Sequence, residues 1–208
     1  MIVRKASIAM ATTSDLSAFN GPSLHFINLA NELSRFGHPI SILMPQLQAE
    51  PPIPFDMEVR QIGKVNVRRL GLPGTLSAVG MIPALGCIEA DALYLRASPT
   101  TYFLAVAAKR QPRRVLIVEY NGWLTEEASA LGYPAWACRL ACSLQLSEAR
   151  LADRIRVVTS ELKSILTGYG IPEEKITVIG NGTSTSVFRP LDKSACRVRL
   201  GIAGEGPV

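Results

Sequence analysis

Short apolar runs alternate with longer stretches of helical periodicity along most of this chain. In the longer stretches the apolar residues recur every three or four positions, as in the segment 22–36. Because strand and helix signals alternate so regularly, the pattern predicts an α/β fold with a doubly wound, mostly parallel, Rossmann-like sheet. The predicted strands lie at 7–11, 39–44, 57–62, 92–95, 115–118, 155–158 and 176–179.

Helix start and stop signals lie between these strands. Pro22 suits the first turn of a helix over 22–36, and Gly37 suits the left-handed residue that often ends one. Either Thr159 or Ser160 can cap a later helix through its hydroxyl oxygen. Further helices are predicted near 100–109, over 134–152, and from that cap to 168–170.

The composition is that of a well-buried globular chain. Of its 208 residues 48% are hydrophobic and 19% are charged, and the mean hydropathy is +0.20, which excludes general disorder. The net charge of +5 suits an anionic partner such as a nucleotide phosphate or an acidic membrane surface. Aromatic residues make up only 6%, so we expect no nucleic-acid partner.

The apolar stretch 70–88 approaches the length of a membrane span, but its glycines and prolines favour a broken helix packed on the sheet. No secretory signal is recognised, and we expect a soluble, cytoplasmic protein. Lys64, Arg68 and Arg69 precede the apolar stretch and suit a peripheral contact with the anionic inner face of a membrane. A solvated loop leading into a core helix is the alternative.

Metal chemistry finds little support in the sequence. Cys138 and Cys142 stand one helical turn apart, but no second pair stands at the spacing of a zinc site. We therefore expect buried thiols in a reducing cytoplasm, no metal site and no cofactor.

Ligands of a parallel sheet collect at the carboxyl ends of its strands. Arg96 directly follows a predicted strand. Its guanidinium can make two parallel hydrogen bonds to a phosphate or a sugar acid, or it can pair with Asp91 or Glu119. Glu119 can bind hydroxyl groups of a ligand or brace its loop. Partial burial would raise the pKa of Glu119 unless Arg96 or a hydroxyl stabilises the charge. The four loops that follow the carboxyl ends of predicted strands, and are therefore candidates for ligand binding, are 12–21, 96–99, 119–125 and 180–186.

Three segments resemble the N-terminal domain of the family-4 (group 1) glycosyltransferases. Residues 21–45 are similar to the family's glycine loop, first helix and second strand. Gly21 and His25 stand where the family has its second glycine and often a histidine, whereas Asn20 replaces the first glycine. Residues 115–128 are similar to a second family segment.

That second segment carries Asn121 and Gly122 where family members often have a histidine and a glycine. An amide can orient a hydroxyl group, but it cannot act as a general base. The third segment, residues 151–190, resembles the family's crossover motif, with Asn181 and Gly182 in place. Phe188 and Pro190 also match, and Ser184 stands where an aspartate is common.

The resemblance implies the acceptor-side half of a GT-B fold. Residues 1–190 would form this domain, and residues 191–208, with a short helix at 193–200, would lead to a donor-binding domain that the chain does not contain. The resemblance implies Asn121 and Glu119 as catalytic residues. The implied substrate-binding residues are Asn20, Gly21, His25, Arg96, Ser98, Gly122, Asn181 and Gly182.

The implied activity is retaining transfer of a sugar from a nucleotide-diphosphate sugar to a hydroxyl of a glycan or lipid-linked acceptor, in cell-envelope or polysaccharide synthesis. We expect these 208 residues alone to be inactive, with the strand-end loops forming one wall of an open cleft. A non-catalytic ligand-binding module or a subunit of a split transferase is the alternative. A sugar-nucleotide epimerase of the same fold is a third candidate.

Overall fold

A parallel sheet forms the centre of the protein. The computed structural model describes residues 5–14, 16–45, 51, 54–55, 60–61, 75–111, 114–183 and 189–202. Within them the strands pair in parallel in the order β3-β2-β1-β4-β5-β6-β7, which confirms the predicted doubly wound fold. The strands are β1 (Ile8–Ala11), β2 (Ile40–Met44), β3 (Arg60–Gln61), β4 (Ala92–Arg96), β5 (Val115–Tyr120), β6 (Arg154–Val157) and β7 (Ile176–Val178).

Helices connect these strands, with a short 3-10 turn at Glu173–Lys175 before β7. The helices are α1 (Gly21–Arg35), α2 (Thr75–Gly86), α3 (Tyr102–Ala108), α4 (Leu124–Ala130), α5 (Ala135–Leu151), α6 (Ser160–Gly168) and α7 (Lys193–Arg199). Only α4 was missed by the sequence analysis, which treated its residues as loop. Because this seven-residue helix buries none of its side chains, it carries no apolar stripe for a periodicity argument to detect.

Local signals place the ends of several helices. The side chain of Asn20 accepts a hydrogen bond from the backbone N–H of Ser23 at 2.9 Å, so α1 begins one residue earlier than predicted. Gly37 has φ +85°, the left-handed conformation expected after the last turn. Thr159 caps α6 by accepting from the N–H of Leu162 at 3.2 Å. These short-range contacts confirm the predicted boundaries to within a residue or two.

The apolar stretch before β4 forms α2 in its described part. The helix continues through Pro83, so the predicted break does not occur there. Pro83 is exposed, while Ala78, Met81 and Leu85 are buried in the core, so the packed face of α2 does not include the proline. No helix in the described residues is both long and apolar enough to cross a membrane. Lys64, Arg68 and Arg69 lie outside the described residues.

The core has two parts, one on each face of the sheet. Helix α1 packs Phe26 and Ile27 against Met10, Ile42 and Tyr94 on one face. The opposite face carries α2, α3, α5 and α6, which pack on the strands to form the larger cluster. Helices on both faces explain why the central strands are apolar on both sides.

A buried carboxyl group lies in the larger part of the core. Glu148 on α5 has no exposed surface, and burial raises the pKa of this carboxyl to about 8, although Thr101 and Tyr120 act in the opposite direction. Neither of its oxygens makes a hydrogen bond of normal geometry with the described residues. Tyr120 donates its own hydroxyl proton to the carbonyl of Gln145 at 3.0 Å. The surroundings therefore favour neutral Glu148 at physiological pH.

We predict that the free energy of unfolding of the Glu148→Gln variant falls less than that of the wild type as the pH rises. A folded-state pKa of about 8, above the ordinary value of 4.5, means that the wild type loses stability as the pH rises from about 4.5 to 8. The loss should be of the order of a few kcal/mol. Urea unfolding between pH 5 and pH 9 measures it, and equal slopes for wild type and variant would contradict a raised pKa.

Candidate functional site

Three charged residues lie side by side at the carboxyl edge of the sheet. Parallel register aligns Arg96 on β4 with Glu119 on β5, and Glu119 with Arg156 on β6. Residues aligned in this way point to the same face of the sheet. The face is the one that α1 covers, since Ile117, two residues before Glu119, packs in the α1 part of the core. The row therefore lies under the first turns of α1.

Glu119 is the centre of this row and has no exposed surface. Its Oε1 lies 2.7 Å from Nε2 of His25 and 3.0 Å from Nη1 of Arg156. The side chains of His25 and Arg156 are 14% and 11% exposed. The sequence analysis left open whether Glu119 contacts an acceptor or braces its loop, and complete burial favours the bracing role.

The charge of Glu119 is stabilised despite its burial. Burial alone would raise the pKa of this carboxyl. The hydrogen bond and charge of His25 outweigh that effect, together with the charge of Arg156 and the side chain of Asn121, so the pKa is lowered below its ordinary value. The sequence proposed Arg96 or a hydroxyl group for this role, and Arg96 does interact electrostatically with Glu119. The ion pair that the structure adds is the one with Arg156.

Arg156 also holds the segment that follows β7. Its guanidinium donates to the carbonyls of Ile179 and Gly180 and to Oδ1 of Asn181, each at 3.2 Å. A further bond of 3.1 Å reaches the hydroxyl of Tyr94 on β4. The fixed fork of the arginine side chain suits such a set of planar contacts. Arg156 therefore joins the buried carboxylate to the beginning of the predicted crossover.

The loop after β5 lies against the same segment. Nδ2 of Asn181 donates to Oδ1 of Asn121 at 2.9 Å, so these two predicted site residues are in contact. Asn121 is half-buried and Asn181 is exposed. A Cβ atom on Gly122 would lie 1.9 Å from Oε1 of Glu127, so the glycine leaves space for that carboxylate. This observation gives Gly122 a packing role.

The remaining predicted residues near α1 border the same edge. Arg96 donates to the carbonyl of Pro22 at 3.3 Å, and burial lowers the pKa of its guanidinium while Glu119 and Glu127 act in the opposite direction. Asn20 is exposed and serves as the cap of α1, and Gly21 is exposed with open space around it. Asp91, the other proposed partner of Arg96, instead accepts from the backbone and hydroxyl of Ser7.

Ser98 belongs to a separate cluster of hydroxyl groups at the end of β4. Its Oγ lies 3.1 Å from that of Thr13 and 2.9 Å from that of Thr100, and its backbone N–H donates to Thr101. These mutual bonds fix the start of α3 beside the loop that follows β1. In this structure the Ser98 hydroxyl is occupied by contacts within the loop.

An exposed rim surrounds the buried charges. Asn20, Gly21, Asn181 and Gly182 are exposed, whereas His25 and Asn121 are half-buried. These four rim residues are therefore accessible at the carboxyl edge of the sheet. Ser184 and Phe188, the remaining crossover positions of interest, lie outside the described residues.

The side chains that could bind a metal ion do not cluster in the described part of the chain. Among the described residues no group of three or more His, Cys, Asp or Glu side chains is placed to hold a metal ion. Cys138 is buried, but Cys87 is exposed and Cys142 and Cys196 are half-buried, so the expectation of buried thiols is right only for Cys138.

Arg156 is the residue that the sequence analysis missed. It lies within a strand whose Ile155 and Val157 are buried, so β6 was recognised by its apolar positions alone. A signal was present, because alternate positions of β6 carry arginine while β5 has a glutamate as its penultimate residue. Using that signal requires the register between the two strands, which hydrophobic periodicity does not supply.

The comparison with protein families assigns the chain to a class. Residues 20–182 match the family described as "Glycosyl transferase 4-like domain". Because this match covers most of the chain, the protein belongs to that family, which confirms the resemblance seen in the sequence. Among curated proteins, the D-inositol 3-phosphate glycosyltransferase of Thermobispora bispora is 21% identical over 221 aligned positions, covering 90% of this chain and 47% of the relative.

Solved structures show the same fold. HepE of Anabaena, in complex with UDP and glucose, superposes with a TM-score of 0.62 at 18% identity, covering 94% of this chain and 50% of that one. The UDP-GlcNAc 2-epimerase of Neisseria meningitidis bound to UDP-GlcNAc gives a TM-score of 0.59 at 15% identity, covering 84% and 46%. This chain thus spans about half the length of the relatives it matches.

We predict that Arg156→Met destabilises the protein by about 3–5 kcal/mol, because it leaves a buried carboxylate without its ion pair. Arg154 is the matched control, since it lies two residues away on the same strand and is exposed. Arg154→Met should change stability by about 0.5 kcal/mol or less. Urea unfolding at pH 7 compares the two variants, and equal losses would refute the assigned role of the pair.

The same pair should also give an acid-dependent stability term. Because the folded-state pKa of Glu119 is lowered, its stabilising effect is complete above the ordinary carboxyl value of 4.5 and is lost as the pH falls through the folded-state value. Glu119→Gln should therefore reduce the loss of stability below about pH 4.5. Unfolding midpoints measured from pH 7 to pH 3 provide the test, and an unchanged acid limb would contradict the lowered pKa.

Proposed function

We propose that this chain is the acceptor-side domain of a retaining glycosyltransferase. The enzyme would move a sugar from a nucleotide-diphosphate sugar to a hydroxyl group of a glycan or lipid-linked acceptor. The observation that carries this proposal is the polar edge of the sheet, where His25, Asn121 and Asn181 surround buried Glu119, in a member of a glycosyltransferase family. Ligands of open parallel sheets bind at this edge.

The groups at this edge suit a neutral, hydroxyl-rich ligand. Asn181 is exposed, and its amide can both donate and accept hydrogen bonds. Arg156 holds Asn181 in place, and Asn181 donates to Oδ1 of half-buried Asn121, whose Nδ2 is buried. An amide cannot take a proton from a hydroxyl group, so the contribution of these residues is orientation. Holding the acceptor hydroxyl near the sugar carbon is a large part of what an enzyme can contribute to such a reaction.

We place the main donor site on a second domain. The chain spans about half the length of its relatives, and residues 191–208 would begin the connection to the other half. Similar structures are described with UDP, glucose or UDP-GlcNAc bound, which supports a nucleotide-diphosphate sugar as the donor. Arg96, near the exposed start of α1, is suitably charged for a donor phosphate. No further cofactor is required by this scheme.

The acceptor class we propose belongs to cell-envelope or polysaccharide synthesis in the cytoplasm. The net charge of +5 favours an anionic acceptor or a peripheral contact with an anionic membrane surface. The name of the curated relative adds a polyol phosphate, D-inositol 3-phosphate, as an acceptor for testing.

A sugar-nucleotide epimerase is the second candidate function. Several of the similar solved structures are UDP-GlcNAc 2-epimerases, and their fold matches this chain nearly as well as HepE does. An epimerase needs no acceptor, so the two candidates differ in whether a second substrate is consumed.

We predict that the protein encoded by the full reading frame around this chain transfers a sugar only when an acceptor is present. The assay combines nucleotide sugars with polyol phosphates, oligosaccharides and polyprenyl-linked sugars, with products weighed by mass spectrometry. The expected product is the acceptor plus one sugar residue, with release of a nucleoside diphosphate. NMR of the new linkage should show the anomeric configuration of the donor.

Two further outcomes distinguish the alternatives. Conversion of a nucleotide sugar into its isomer without any acceptor would support the epimerase. Rapid transfer by residues 1–208 alone would contradict the assignment of the donor site to a second domain. Ligand binding by both the chain and the longer protein, without turnover under any combination, would favour a binding module.

A further inference from the structure

The contact between His25 and Glu119 determines which ring nitrogen carries a proton. The lowered pKa of Glu119 keeps this carboxyl ionised at neutral pH. An ionised carboxylate accepts hydrogen bonds and cannot donate one. Nε2 of His25 lies 2.7 Å from Oε1 of Glu119 and must therefore be the donor. In a neutral imidazole the other nitrogen, Nδ1, then carries the lone pair.

The ring is the part of this pair that ligands can reach. Glu119 is fully buried, whereas the His25 side chain is 14% exposed. His25 is the fifth residue of α1, and the first residues of that helix, Gly21 and Pro22, are exposed at the edge of the sheet. Within the described residues, the His25 ring makes its hydrogen bond through Nε2. No described residue contacts Nδ1 through a hydrogen bond of normal geometry.

The charged and titratable groups around the pair come from three elements. Arg156 on β6 forms the ion pair with Glu119, and Tyr94 on β4 bonds to that arginine. Arg96 on β4 is aligned with Glu119, and Glu127 on α4 acts on Arg96. Arg156 supplies a permanent positive charge to the carboxylate, so the contact between Glu119 and His25 persists as a hydrogen bond when the imidazole is neutral.

We propose that Nδ1 of His25 accepts a hydrogen bond from a substrate hydroxyl group, and that Glu119 and Arg156 are positioning residues that fix the orientation of the imidazole ring. This inference rests on the proposed function, because it names the group that meets the acceptor. It selects a neutral alcohol as the ligand at this point of the site, since a lone pair attracts a hydroxyl proton and repels an anionic oxygen. Glu119 then acts through His25 and does not touch the acceptor.

The chain contains an internal reference for the ring assignment. It has two histidines, and Nδ1 of His38 lies 3.0 Å from the carbonyl oxygen of Ala6. A carbonyl only accepts, so neutral His38 must be protonated on Nδ1, the opposite arrangement to His25. The two rings are therefore expected to give opposite nitrogen shift patterns in one spectrum.

Nitrogen NMR of residues 1–208 at neutral pH tests the ring assignment without any activity measurement. We expect His25 to show a protonated Nε2 and an unprotonated Nδ1, with signals assigned by a His38→Gln variant. In Glu119→Gln the amide offers both a donor and an acceptor, so the His25 pattern should shift towards a mixture. A wild-type ring protonated on Nδ1, or on both nitrogens, would overturn the proposal whether or not the variant folds.

Two substitutions of His25 separate the roles of its nitrogens in the longer, active protein. The amide of Gln lies near the Nε2 position, and the amide of Asn lies near the Nδ1 position. His25→Gln should keep the contact with Glu119 and lower kcat/KM for the acceptor by about tenfold or more, with the donor KM unchanged. His25→Asn should retain more acceptor activity but lower the stability. Equal activity of His25→Gln and wild type would overturn the proposal.

The two measurements can fail separately. Absence of any transfer by the wild type, with the expected ring pattern, would contradict the proposed function while leaving the ring orientation established. Transfer that is unaffected by His25→Gln would contradict the hydroxyl contact while leaving the transferase function intact.

Discussion

A buried carboxylate must be compensated, and this requirement organises the edge of the sheet in this protein. Glu119 has lost all contact with solvent, and an isolated charge at such a position would cost several kcal/mol. His25 on α1 and Arg156 on β6 compensate this charge, and their contacts with Glu119 hold both elements against the end of β5. Because Arg156 also binds the segment after β7, four parts of the chain are held by one ionic cluster.

The cluster also explains why charged and neutral groups occupy different positions at the site. The groups that carry full charge are buried and engaged with each other, whereas the groups at the rim are amides and an imidazole. Arg156 holds Asn181, and Asn181 in turn donates to Asn121, so the ionic cluster also fixes the position of these two amides.

A second buried carboxyl lies behind the site with the opposite electrostatics. No cation among the described residues acts on Glu148, and its pKa is raised to about 8, whereas that of Glu119 is lowered. The two residues lie on opposite faces of the same sheet, separated by the thickness of β5. Burial acts in the same direction on both, so the presence or absence of a paired cation decides which form is stable.

The sequence alone determined the order and type of most elements, the left-handed stop at Gly37 and the family, and it limited the cap of α6 to Thr159 or Ser160. Hydrophobic periodicity and capping chemistry act over a few residues, which is why they could be recognised without coordinates. The sequence also indicated Glu119 as a site residue and proposed Arg96 or a hydroxyl group as its partner, without identifying Arg156. Only the tertiary structure decided that Arg156 pairs with Glu119, because that choice depends on strand register and side-chain direction across distant segments, which no local pattern encodes.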